Sequence, residues 1–173
     1  MPTYSQNHLI HAVVEIPAGT NHKIEYDHHS RKFIVDKKNG RDRIIDFLPY
    51  PGNYGFIPST YLDPLQGGDG DALDVLIIAE SYPTGTVLET IPIAVLLLKD
   101  ANEIDNKIIA IPANLDKRII HATNFKEFKT KYQKIQEIIQ DWFLNYKGGN
   151  EIEFIGWEDE QFATKEIERW MVK

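Results

Sequence analysis

The chain contains no cysteine. Disulfides, thiolate metal ligands and cysteine nucleophiles are therefore excluded, and the composition agrees with a reducing compartment. Long hydrophobic runs are missing too. The longest apolar stretch, Ile91 to Leu98, carries Pro92 and is far too short to span a bilayer. The opening residues, MPTYSQNHLIHAVVEIP, lack the charged start and long apolar segment of a secretion signal. These absences predict a cytoplasmic protein with no membrane partner. Positive charge is also scarce, because 19 Lys and Arg face 26 Asp and Glu, leaving a net charge of −7. Nucleic acid is then a poor default partner, since phosphate backbones are gripped by basic patches. Hydrophobic residues at 42% and charged residues at 26% suit one ordinary globular domain over residues 1–173.

What is present is a concentration of acid. Gly67 to Glu80 reads GGDGDALDVLIIAE, with Asp69, Asp71 and Asp74 in six residues and no cation among them. Carboxylates this close repel one another unless something positive is bound, and a divalent ion with oxygen ligands is the usual solution. The bland alternative is a solvated turn entering a strand, since Gly and Asp are common turn residues.

Around this cluster the pattern is strand-rich. Strands are predicted at His11–Ile16, Lys23–Asp27, Lys32–Asp36 and Arg43–Leu48, with Lys38-Asn39-Gly40 as a hairpin turn. Pro49 to Pro58, PYPGNYGFIP, reads as a rigid irregular loop, in which Tyr54 either packs or aims its phenol at a ligand. Val75–Ala79, Ile91–Leu98, Lys107–Ile111 and Glu151–Ile155 follow as further strands. Apolar residues at helical spacing from Phe125 to Tyr146 predict one long helix over 125–147, with Asn124 and Glu127 as a capping box and Gly148-Gly149 as its stop. A second helix is predicted from Asp159 to Met171. The natural architecture is a small β-barrel with appended helices.

Two rival chemistries fail for the acids. Counting Asp69 as position 1 of an EF-hand loop puts Asp74 where the turn needs Gly, and a core strand where the remaining ligands belong. Glycosidases need two carboxylates across a sugar, not three in six residues. Paired magnesium ions that activate a water and orient a phosphate ester or anhydride fit better. In an extended chain Asp69 and Asp71 share a face and Asp74 does not, so convergence predicts a bend near Ala72-Leu73. The six histidines are scattered and read as surface or packing residues, since magnesium prefers oxygen.

Asp69-Gly70-Asp71-Ala72-Leu73-Asp74-Val75 fits the D-x-D-x-x-D-V signature of the soluble family I inorganic pyrophosphatases. VVEIPAG at 13–19, KIEYD at 23–27, YPGNYGFIP at 50–58, KDANEIDNKIIAIP at 99–112, and NYKGG with a later GW at 145–149 and 156–157 resemble that family's blocks in the same order. The resemblance spans essentially the whole chain. It implies a five-stranded OB-like β-barrel with extra short strands and two flanking helices, assembled as a homohexamer. It implies hydrolysis of pyrophosphate to two phosphates with several Mg²⁺ ions, for which Mn²⁺ or Zn²⁺ could substitute. It casts Asp69, Asp74, Asp100 and Asp105 as metal ligands, Glu15 as an outer acid of the metal site, and Asp71 as the general base. Lys23, Tyr54, Lys107, Tyr146 and Lys147 match phosphate-holding positions, and Glu25 a supporting one. For the family's phosphate-binding arginine, Arg43 keeps the spacing to Tyr54 and is preferred, with Lys37 as the alternative. The competing class, an OB-type nucleic-acid module, would need a basic groove with stacking aromatics.

Overall fold

A computed structural model describes residues 1–149 and 151–172. In chain order the strands are β1 (Ile10–Ile16), β2 (Ile24–Asp27), β3 (Lys32–Val35), β4 (Lys37–Lys38), β5 (Arg41–Asp42), β6 (Asn53–Phe56), β7 (Asp74–Ile77), β8 (Val87–Asp100), β9 (Glu103–Ile104), β10 (Lys107–Pro112) and β11 (Ile152–Asp159). The helices are α1 (Phe125–Lys131), α2 (Gln133–Asn145) and α3 (Glu160–Trp170).

Five of the strands close a ring of pairings: β1 with β6, β6 with β7, β7 with β10, β10 with β8, and β8 back to β1. Only the β7–β10 contact in this ring is parallel. The fourteen residues of β8 are long enough to pair with β1 at one end and with β11 at the other. The fold is thus mainly β, as the OB-like expectation has it, but the described residues hold three α-helices where two flanking ones were expected.

Side chains that alternate across a strand serve two cores. Val75 and Ile77 of β7 and Ile108 and Ala110 of β10 join the α3 residues Ala163, Ile167 and Trp170. Their neighbours Leu76, Ile109 and Ile111 pack instead with Phe128 of α1 and Ile139, Trp142 and Phe143 of α2. Burial on both faces explains why these strands read as unbroken apolar runs.

Three expectations are corrected. The stretch read as an irregular loop contains β6, whose proline neighbours flank the strand and do not interrupt it. Gly55 is essential to this strand, because an added Cβ would sit 1.9 Å from the Val13 carbonyl of β1. Arg43–Leu48 is not a strand beyond a single bridge from Ile44 to His22; Ile45 alone enters the core while Ile44, Phe47 and Leu48 are exposed, so no alternating core face holds the segment extended. The single helix over 125–147 is two helices broken at Tyr132, whose φ of −128° and ψ of 31° leave the helical region. The apolar stripe continues across the break, so periodicity alone could not reveal it. The Asn124 cap is present, its side chain accepting the Glu127 N–H at 2.9 Å, while Glu127 reaches back to the Thr123 N–H at 3.0 Å.

Candidate active site

Strand ends bring the acids together. The parallel register sets Lys107, first residue of β10, beside Asp74, first residue of β7. Asp100 closes β8, and Asp105 lies between β9 and β10. The bend expected at Ala72-Leu73 begins earlier, at Gly70, whose φ of +87° is a left-handed conformation that suits glycine. Asp69 folds over this turn and accepts the Asp71 N–H at 2.9 Å. The turn is pinned from outside, the Gly70 and Leu62 amides donating to the Leu62 and Asp71 carbonyls respectively. Tyr146 and Lys147 follow the end of α2.

The result is a cavity of about 240 Å³ lined by Glu15, Lys23, Tyr54, Asp69, Asp71, Asp74, Asp100, Asp105, Lys107, Tyr146 and Lys147. Every site residue expected from the sequence except Arg43 therefore lies on its wall. Arg43 lines an adjoining cavity of about 390 Å³, to which Tyr146 and Lys147 also contribute, and its guanidinium donates to Asp36 at 3.1 Å. Lys37 is exposed on β4 and lines neither. Reading the residues one at a time missed Tyr50, Tyr26 and His28, which also line the main cavity. Tyr50 had a signal, since it opens the same Pro- and Gly-rich block as Tyr54; its ring lies 5.2 Å from that of Tyr54 and 4.4 Å from that of Trp142. His28 is exposed and stands edge-on to Tyr26 at 5.0 Å, and nothing in its spacing marked it.

Charge in the cavity is unbalanced. Including Glu25, seven carboxylates face the ammonium groups of Lys23, Lys107 and Lys147. Lys107 is 3% exposed. Its ammonium contacts Asp74 and lies 2.5 Å from Asp105, with the Tyr54 ring centroid 5.6 Å away. Burial opposes its charge, but Asp105 and Asp74 outweigh that and hold its pKa well above the ordinary lysine value. Lys147 pairs with Asp100, and Lys23 with Glu25 at 2.5 Å.

Among the described residues Glu15, Asp69 and Asp71 have no ion-pair partner. Burial pushes the Glu15 carboxyl up to about 8, eased by the Tyr26 N–H it accepts and reinforced by Asp74 and Glu25. Asp71 is exposed, yet partial desolvation and then the Asp69 and Asp74 charges raise its pKa from the ordinary aspartate value. Asp105 is also raised, by burial first and by Asp74, against the pull of Lys107. Burial pushes the Tyr146 phenol up to about 12, so it stays a hydrogen-bond donor near neutral pH.

This donor set fits divalent cations. It is oxygen throughout, suited to hard ions, and its acids carry more negative charge than the lysines answer. Among the described residues no three acids form a ready cluster for one ion, and the Lys107 ammonium contacts both Asp74 and Asp105.

A family model described as inorganic pyrophosphatase matches residues 12–173. The inorganic pyrophosphatase of Haloferax volcanii is 36% identical over 167 residues, covering 94% of this chain and 86% of that protein. The inorganic pyrophosphatase of Neisseria meningitidis serogroup B is 36% identical over 172 residues, covering 94% and 89%. Among solved structures, that of an inorganic pyrophosphatase from Neisseria gonorrhoeae aligns with a TM-score of 0.77 at 31% identity, over 94% of this chain and 91% of that one. The Thermus thermophilus inorganic pyrophosphatase aligns at 0.81 with 28% identity, over 97% and 92%.

Proposed function

The chain belongs to the inorganic pyrophosphatase family, and from that premise we propose how its residues hydrolyse pyrophosphate to two orthophosphates. Family membership makes a divalent metal the expected cofactor. Our reading assigns Mg²⁺, with Mn²⁺ or Zn²⁺ as substitutes, to Asp69, Asp74, Asp100 and Asp105, with Glu15 as an outer acid. When bound, such ions offset the charge of the polyanionic substrate and make a water easier to deprotonate.

Asp71 is the general base. It lines the cavity, has no cation pinned to it among the described residues, and its raised pKa makes it a better proton acceptor than an ordinary aspartate. The attacking oxygen gives its proton to the Asp71 carboxylate as it adds to one phosphorus. The bridging oxygen leaves with the second phosphate, so no covalent enzyme intermediate is needed.

Lys23, Lys107 and Lys147 hold the phosphoryl oxygens, and their ammonium groups transfer from the acids to the substrate as it enters. Tyr54 and Tyr146 donate hydrogen bonds. Arg43 serves the leaving side, through the cavity it shares with Tyr146 and Lys147. Positioning and electrostatics of this kind dominate phosphoryl transfer. An acid-lined cavity in a chain of net charge −7 disfavours the nucleic-acid module.

We further propose a single cytoplasmic domain, assembled as a homo-oligomer and by family resemblance a hexamer. Exposed Phe47, Leu48, Ile138 and Ile155 are compatible with subunit contacts, and no helix among the described residues is long and apolar enough to cross a membrane. The observation that carries the catalytic reading is the convergence of five aspartates and three lysines from four separate segments on one cavity. Its test is phosphate release from pyrophosphate with Mg²⁺ and after chelation. Release that stops on chelation and returns with Mg²⁺ supports the reading, whereas release indifferent to metal overturns it.

A further inference from the structure

The buried face of α3 carries Ala163, Ile167 and Trp170 at helical spacing, and among them the carboxylate of Glu166, only 4% exposed. A buried carboxylate is costly unless its oxygens are satisfied. Glu166 Oε1 accepts two hydrogen bonds, one from Asn106 Nδ2 at 2.7 Å and one from Trp170 Nε1 at 3.0 Å. Glu166 Oε2 faces the Arg169 guanidinium at 3.8 Å. The hydrolytic scheme uses none of these groups.

Asn106 is the residue between Asp105 and Lys107. Side chains two apart in an extended segment share a face, and the one between them points away. Asp105 and Lys107 accordingly meet at 2.5 Å on the cavity side, while Asn106 turns to the opposite side and into the grip of Glu166. The same end of α3 holds the other acid-bearing segment. The Tyr61 N–H donates to the Trp170 carbonyl at 2.8 Å, and the next residue, Leu62, donates its N–H to the carbonyl of Asp71 at 2.8 Å.

We infer that Glu166 and Asn106 are a positioning pair, in which a hydrogen bond behind the cavity fixes how far Asp105 and Lys107 reach into it. The inference rests on the assignment of Asp105 as a metal ligand. The acceptor oxygen is what matters, not the charge. Glutamine at 166 can present the same Oε1 to Asn106 and Trp170, whereas alanine cannot.

The experiment is calorimetric titration of Mg²⁺ into the metal-free full chain, with melting temperature recorded alongside. Asn106→Ala and Glu166→Ala weaken Mg²⁺ binding about ten-fold or more, the range seen when groups supporting metal ligands are removed. Glu166→Gln stays within about two-fold of wild type, and the Asn106→Ala/Glu166→Ala double variant is no weaker than the worse single one. If Glu166→Ala does not fold, Asn106→Ala and Glu166→Gln decide the question. Lower melting temperatures with unchanged Mg²⁺ affinity would overturn the inference, leaving the pair a core contact. Glu166→Gln binding as weakly as Glu166→Ala would overturn it too, by making the charge the active feature. Wild-type protein that bound no Mg²⁺ would remove the metal assignment, and this inference with it; normal wild-type binding with unaffected variants removes this inference alone.

Discussion

Lys107 and Asp74 stand side by side as the first residues of two parallel strands, and the buried ammonium of the one contacts the carboxylate of the other. The same ammonium holds Asp105, so one lysine answers two acids of the cavity. In the scheme proposed above it releases both when substrate and metal arrive.

Lys107→Met keeps the volume of the stem and removes the charge. Breaking a buried pair costs several kcal/mol, and we expect about 3 kcal/mol here, the low end, because part of Asp74 remains exposed. Mg²⁺ should restore more of the lost stability in this variant than it adds to wild type, since cations answer the acids that the lysine no longer does. Urea unfolding with and without Mg²⁺ checks both statements. An undiminished midpoint in the metal-free variant would show that the lysine is not neutralising the acids.

Gly55→Ala tests the ring. The added Cβ would lie 1.9 Å from the Val13 carbonyl, a backbone atom with no rotamer to escape into, so β1 and β6 must separate. The expected loss is well beyond the roughly 1 kcal/mol typical of point substitutions. A urea midpoint near that of wild type would show that the two strands can yield.

Arg43 and Lys37 divide cleanly by position. Arg43 shares a cavity with Tyr146 and Lys147, whereas Lys37 lies exposed on a two-residue strand. Arg43→Ala should raise the KM for pyrophosphate while Lys37→Ala leaves it unchanged. Steady-state kinetics on the two variants decide it, and the reverse pattern would transfer the role to the lysine.

The sequence made some of this legible and hid the rest for identifiable reasons. Asp69, Asp71 and Asp74 were visible because like charges in six residues demand an explanation. The strands β7, β8 and β10 were visible because burial on both faces leaves unbroken apolar runs. Asp100 and Asp105 were not legible on their own, since acids flanking a turn look like any solvated hairpin; only resemblance to a family raised them. The strand β6 was hidden because proline and glycine dominate its surroundings, and the need for Gly55 lies in a neighbour forty-two residues away in the chain. The break at Tyr132 was hidden because the apolar stripe ignores it. Glu166 was least legible of all, one acid among many on an amphipathic helix, whose burial depends on a partner sixty residues earlier.

In the proposed mechanism Asp71 accepts the proton of the attacking water while its neighbours hold metal and substrate. Asp71→Asn preserves shape and removes the acceptor, so the direct measurement is its turnover of Mg²⁺ pyrophosphate beside its melting temperature. This variant should keep a melting temperature close to wild type and lose turnover about 10²- to 10⁴-fold, the usual contribution of a general base. Turnover within about two-fold of wild type in the folded variant would contradict this role for Asp71.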